Sequence, residues 1–142
     1  GDPLRFAPLV QLHRRAAAES GHAQPPLGIN MHGFIADDYQ TAADLYWPGH
    51  DEAMSRIGRE RGWPPQTRAN FEAECGPTGA IALGSPQQVT EKILRRAAGL
   101  NMDRFMIQFS VGHLDHAAMM HCIELYGTVV APAVRAALAE QG

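Results

Sequence analysis

The sequence predicts an α/β fold with parallel strands, and three observations carry that expectation. Ala80–Val111 reads strand, capped helix, strand; Leu27–Ala36 is an earlier apolar run mixed with small residues; and the segments between and around them place apolar residues at helical spacing. A strand that returns beside another after a helix must run parallel to it, with a right-handed connection.

Taken in order, Arg5–Ser20 reads as a helix with Phe6, Leu9, Leu12, Ala16 and Ala17 inward and Arg14, Arg15 and Glu19 outward, ended by Gly21. Pro8 falls in its first turn, where a missing N–H costs little. Leu27–Ala36, LGINMHGFIA, suits a strand covered on both faces. Asp37 or Asp38 then caps a helix carrying Ala42, Ala43 and Leu45, expected to stop before Pro48. From Tyr46 to Gly79 the strand and helix alternation is lost. This segment, 46–79, contains an Asp51–Arg61 helical piece, Gly62-Trp63-Pro64-Pro65 and a short Thr67–Glu74 stretch, and it reads as an insertion. Long insertions of this kind in compact domains usually serve as lids or binding segments, so Trp47 and Trp63 are candidate lid residues.

The central unit is the most explicit. Ala80–Leu83 is a short strand, and Gly84-Ser85-Pro86 then supplies a turn, a Ser N-cap and a Pro at the first helical position, with Gln88 completing a capping box. Val89, Ile93, Leu94 and Ala97 form the buried stripe, while Gln87, Thr90, Glu91, Lys92, Arg95 and Arg96 fill the polar face, and Gly99 offers a stop. Arg104–Ser110 is the next strand. Leu114–Leu138 is a long helix with Met119, Ile123, Tyr126, Val130 and Val134 on one face, which Pro132 should kink or split near Val130-Ala131.

Several of these segments together resemble one family. The GSPQQVTEKI helix, the strand LNMDRFMIQFSVG and the helix ending ELYGTVVAPAVRAAL resemble the C-terminal end of the bacterial luciferase-like flavin monooxygenases. Asp2–Leu9, His32–Asp37 and Arg56–Pro65 resemble the same family, in the same order, so the likeness extends over nearly the whole chain. It implies the C-terminal portion of a (β/α)8 TIM barrel, an incomplete barrel of three strands with outer helices in a single domain. It also implies oxidation of a small organic substrate by reduced flavin and oxygen, with FMN as cofactor. A deazaflavin-dependent dehydrogenase of the same superfamily is the alternative, and a structural or oligomerisation fragment without catalysis is another. Family members commonly pair through helices, and the apolar Met119, Ile123 and Tyr126 face points to a homo-oligomer.

Size and charge agree with a partial barrel. The chain has 142 residues, whereas a complete barrel needs roughly 250. It opens on Gly1-Asp2-Pro3 without an initiator Met, as expected of a cut after an earlier strand. Twelve basic and fifteen acidic residues, interspersed to a net charge of −3, give no basic stripe for nucleic acid or an anionic membrane. No apolar run approaches the ~18 residues of a membrane span. Cys75 and Cys122 lack metal or disulfide spacing, so a reducing, cytoplasmic setting is the expectation.

Barrel chemistry sits at the C-terminal ends of strands, which selects His32, Gly33 and Phe34 after the first strand and Ser110–His113 after the last. His32 could hydrogen-bond a flavin edge or a peroxide oxygen, or simply be satisfied by neighbouring backbone. Phe34 reads as wall. Alternation along Arg104–Ser110 puts Gln108 and Ser110 on one face, where a strand buried on both sides would require partners for them. The flavin or substrate pocket is therefore assigned to His32, Phe34, Gln108 and Ser110, with no catalytic acid or base identified.

Gly84 and Ser85 form a possible anion site, although the capping box already accounts for the Ser. His113 and His116 share a helix face, but His121 lies ~140° further round from His116, so no metal is expected. Arg56, Arg59, Arg61 and Arg68 could clamp an anion, but pairing with nearby acids, such as Glu52 with Arg56, accounts for them as a solvated face.

Overall fold

A computed structural model describes residues 1–140. The three expected strands form one parallel sheet: β1 (Gly28–Ile35) lies in the centre, flanked by β2 (Ile81–Gly84) and β3 (Arg104–Gln108). β2 pairs only with the C-terminal half of β1, His32–Ile35 against Ile81–Gly84, while β3 pairs with Gly28–His32 from Arg104 to Gln108. β2 and β3 are thus parallel but not adjacent, which corrects the expectation of a simple strand-helix-strand neighbour pair. Their connecting helix, α4 (Pro86–Leu100), crosses β1.

Residues paired across a parallel ladder share a face, and successive residues alternate. Met31, Gly33 and Ile35 of β1 therefore lie with Phe105 and Ile107 of β3 on one face, and His32 and Phe34 with Leu83 and Gln108 on the other. The first face packs against α4 and the C-terminal helical run. That run comprises α5 (His116–Leu125), a π turn at Tyr126–Val130 and α6 (Ala131–Ala139), so the chain changes helical register where Pro132 required it. Tyr126 meets Phe109 edge-on, with ring centroids 5.6 Å apart, and Cys122 Sγ accepts from the Ile35 N–H at 3.2 Å. By length and composition His116–Ala139 could cross a membrane, but its Cys122, Tyr126 and Val130 side is engaged with the sheet core.

On the opposite face the structure departs from the expectations. Residues 46–79 are largely helical, not irregular. α2 spans Tyr39–Arg61 without a break, capped by Asp38, whose side chain accepts from Thr41 N–H, and ended by Gly62 at φ 67°. Pro48 sits inside it. The usual cost of an interior proline, about 3 kcal/mol, is offset by the face this helix buries: Ala42, Ala43, Tyr46, Gly49, His50 and Ala53. α3 (Arg68–Cys75) follows and inserts Phe71 beside them. These side chains cover Phe34, so α2 and α3 lie over the C-terminal half of the sheet face, and the helices are not confined to one side.

Gly49 is what lets α2 approach so closely. A Cβ there would stand 2.4 Å from the carbonyl oxygen of His113, and one on Gly112 would stand 2.0 Å from that of Gly49.

Two further expectations change. α1 (Ala7–Glu19), preceded by a 3-10 turn at Pro3–Phe6, buries none of its residues, and Phe6, Leu9 and Leu12 are exposed rather than inward. α4 buries Lys92 and Arg96, which periodicity had placed on the polar face. Both are long enough to reach backbone carbonyls of the 75–81 connection, where they replace water as donors: Lys92 to Cys75 and Ile81, Arg96 to Pro77 and Gly79. The end of α4 is set by Asn101 at φ 49°, whereas Gly99 admits Leu4, 2.5 Å from where its Cβ would be.

Candidate functional site

His32, Phe34 and Gln108 share one sheet face, whereas β3 ends at Gln108 and leaves Ser110 beyond the sheet, which corrects the expected strand end. His32 and Gln108 are register partners on adjacent strands, and Ser110 lies two residues beyond Gln108. Phe34 is fully buried and stacks on Tyr46 at 5.7 Å, so it is wall. Gln108 and Ser110 are exposed, not buried as expected, because Gln108 lies on the edge strand outside the part of the face that α2 and α3 cover and Ser110 lies past the end of β3. Asn30, Met106 and Gln108 leave the other half open, with Met106 46% exposed. The only hydrogen bond of the Gln108 side chain among the described residues is a long one, 3.5 Å from Nε2 to the Ser110 carbonyl.

Two residues that sequence reasoning passed over complete this site. His50, 3% exposed, stands edge-on to His32 with ring centroids 6.5 Å apart and lies 5.6 Å from Tyr46. Phe71 closes the cluster, 5.2 Å from His50 and 6.3 Å from Tyr46. Neither His50 Nδ1 nor Tyr46 Oη has a hydrogen-bond partner among the described residues. The signal for His50 was its i, i+4 spacing from Tyr46, obscured because the helix was expected to end before Pro48; no local signal marked Phe71.

All three polar groups are held neutral. Burial pulls the His50 imidazolium down to about 4, with His32 adding to the effect, and burial also lowers His32. Burial raises the Tyr46 phenol well above its usual range. The arrangement can donate and accept hydrogen bonds near neutral pH without carrying charge.

The other candidates fall elsewhere. Ser85 and Gln88 engage each other, Gln88 N–H to Ser85 Oγ at 3.3 Å and Ser85 N–H to Gln88 Oε1 at 2.9 Å, so the capping box takes up the polar groups of the Gly84-Ser85 turn. Trp47 packs on Phe71 at 5.1 Å, whereas Trp63 is half-exposed beneath Arg61. No group of three or more metal-capable side chains occurs among the described residues. His121 instead meets Asp37 at 2.9 Å, and that carboxylate raises its pKa. Arg68 pairs with Asp44 and Glu72, at 2.9 and 2.8 Å.

No family model matches the chain, and no curated protein does. Solved structures do. Monooxygenase RslO1 from Streptomyces bottropensis superposes with a TM-score of 0.70 at 17% identity, over 92% of this chain and 39% of that one. The oxygenating constituent of 3,6-diketocamphane monooxygenase from Pseudomonas putida, a type II Baeyer-Villiger monooxygenase solved with FMN, gives 0.63 at 20% identity, over 86% of this chain and 38% of its own. Apo-MsnO8 gives 0.54 at 14% identity, over 87% and 42%. The chain therefore spans about two fifths of the length of these structures and shares the fold of that part of them.

Proposed function

We propose that this chain is the C-terminal part of a luciferase-like (β/α)8 flavin monooxygenase, and that its His32 face borders the flavin or the substrate beside it. The observation that carries the reading is the half-covered sheet face: polar residues on neighbouring strands, open on one side and closed at the C-terminal end by an aromatic cluster. A free-standing sheet would bury such a face, whereas a barrel strand turns it inward. β1 pairs in parallel on both of its edges, as each strand of a closed barrel does. The likeness to monooxygenase structures, one of them solved with FMN, supports the same reading.

The residues present fit a flavin ring edge better than its phosphate. Asn30, His32 and Gln108 offer uncharged donors and acceptors, and Met106 offers an apolar contact, but the Gly84-Ser85 turn is occupied by its own cap. When bound, FMN would supply the redox chemistry with oxygen, and the chain's part is to orient it, keep water out and hold hydrogen bonds to neutral groups. α2 and α3, lying over the C-terminal half of the face, serve as the cover of the site. The test is His32→Ala and Gln108→Ala, singly, in the intact enzyme, with FMN affinity and oxygen-dependent turnover measured. Each should lose about tenfold in one or both, the scale of a lost hydrogen bond to a buried polar ligand. Wild-type values of both quantities in both variants would remove this face from the site.

A further inference from the structure

Two cations of α4 are buried without an ion-pair partner among the described residues. Lys92 is 5% exposed and Arg96 fully buried, and among the described residues the ion pairs involve Arg68, Arg95, His121 and the N-terminus instead. The backbone carbonyls that receive their N–H groups satisfy hydrogen bonds but cancel no charge. Buried charges are ordinarily paired. Burial, with Arg96 one turn away, pulls Lys92 down to about 8, and the nearby Glu74 carboxylate, itself bonded to the N-terminus, offsets this only in part.

A cavity of about 510 Å³ opens on Lys92 between α4 and the connection from α3 to β2. Its floor is apolar, formed by Leu83, Cys75 and Pro77. At its rim Arg95 is already neutralised by Asp2, 2.7 Å away, and Glu91 is exposed and accepts from Gln87. The cation lining the cavity that makes no ion pair among the described residues is therefore Lys92. An ammonium has three protons; two go to the Cys75 and Ile81 carbonyls, leaving one for a ligand. The volume suits a small organic molecule.

We propose that this cavity binds a small organic monocarboxylate, its carboxylate on the remaining Lys92 N–H and its apolar body on Leu83, Cys75 and Pro77. The lining shares only Leu83 with the His32 face and contains none of Asn30, His32, Met106 and Gln108, so the site stands or falls without the flavin reading.

Octanoate, octanol and octylamine are the probes, titrated calorimetrically into the chain at about pH 7. Octanoate should bind at least about tenfold more tightly than octanol, as a charge-assisted bond requires, and octylamine should bind least. Bound octanoate should raise the Lys92 pKa, followed by nitrogen NMR of the side-chain ammonium. Lys92→Met should bring octanoate down to the level of octanol. Because that variant also removes two buried hydrogen bonds and could unfold, Glu91→Gln provides an independent arm: removing an exposed like charge at the rim should tighten octanoate about threefold and leave octanol unchanged. Equal binding of octanoate and octanol, no octanoate binding at all, or a Glu91→Gln variant that leaves octanoate unaffected would each overturn the proposal.

Discussion

Replacing Tyr46 by Phe should stabilise this protein. The ring is fully buried between Phe34 and Phe71, stacked at 5.7 and 6.3 Å, and Phe keeps both contacts. What changes is the hydroxyl, which has no hydrogen-bond partner among the described residues. A buried hydroxyl in that state costs about 1–3 kcal/mol. Its removal leaves a void of only one oxygen atom, whose lost dispersion contacts return a fraction of that gain. A net stabilisation of about 1 kcal/mol follows, equivalent to roughly 3–5 °C in Tm for a chain of this size. Urea unfolding followed by far-ultraviolet circular dichroism would read it as a higher midpoint at an unchanged slope. Phe71→Ala provides the contrast, with an expected loss of about 3–5 kcal/mol for the same cluster. If Tyr46→Phe proved destabilised by 1 kcal/mol or more, on this same scale of a made hydrogen bond, the hydroxyl would have to be bonded in the folded chain, and the reasoning about an unsatisfied cluster would fail.

Three other outcomes are expected. His50 is held neutral in the folded state down to about pH 4, while in the unfolded chain it takes its proton near 6.5, so the unfolded state binds more protons in that window; stability should fall as pH drops from about 6.5 to 4, by up to ~1.4 kcal/mol per unit, and His50→Gln should flatten the corresponding part of a urea-midpoint profile. Gly33→Ala should prevent folding or cost more than ~3 kcal/mol, because its Cβ would lie 2.2 Å from the Ala82 carbonyl oxygen and 2.6 Å from Ile107 Cδ1; a thermal melt within 2 °C of wild type, well under the shift ~1 kcal/mol produces, would contradict the register described. Sedimentation should find a dimer at micromolar concentration, lost in Ile123→Glu, since Met120, Ile123 and Val129 are about half exposed on the outer helices.

The parts of the fold legible in the sequence are those set by local chemistry. The capping box at Ser85 and Gln88 formed as written, because both partners lie within one helical turn. The split near Val130-Ala131 followed from Pro132. Alternation along β3 was enough to place Gln108 on the face of His32, but not to show that the strand stops there, short of Ser110. What local pattern could not reveal depends on contacts distant in sequence. Pro48 read as a stop because a proline's local cost is visible and the compensating burial of Tyr46, His50 and Ala53 is not. Lys92 and Arg96 read as solvent-facing because their acceptors, the carbonyls of residues 75–81, lie 11 to 19 positions away. Strand order likewise rests on long-range pairing. The partners of Tyr46 and His50 were hidden for the same reason, and with them half of the candidate site.

The contact of Gly49 with Gly112 and His113 bears on how α2 can move. Two backbones touching without side chains between them have no rotamers to adjust as one slides past the other. Any excursion of the middle of α2 must therefore carry the segment after β3 along with it, or part from it altogether. Because that segment leads directly into α5, opening would be felt on the far side of the sheet, at the Cys122 contact with Ile35. α2 and the segment after β3 are thus packed as one unit through glycine backbones, not joined by a slack hinge.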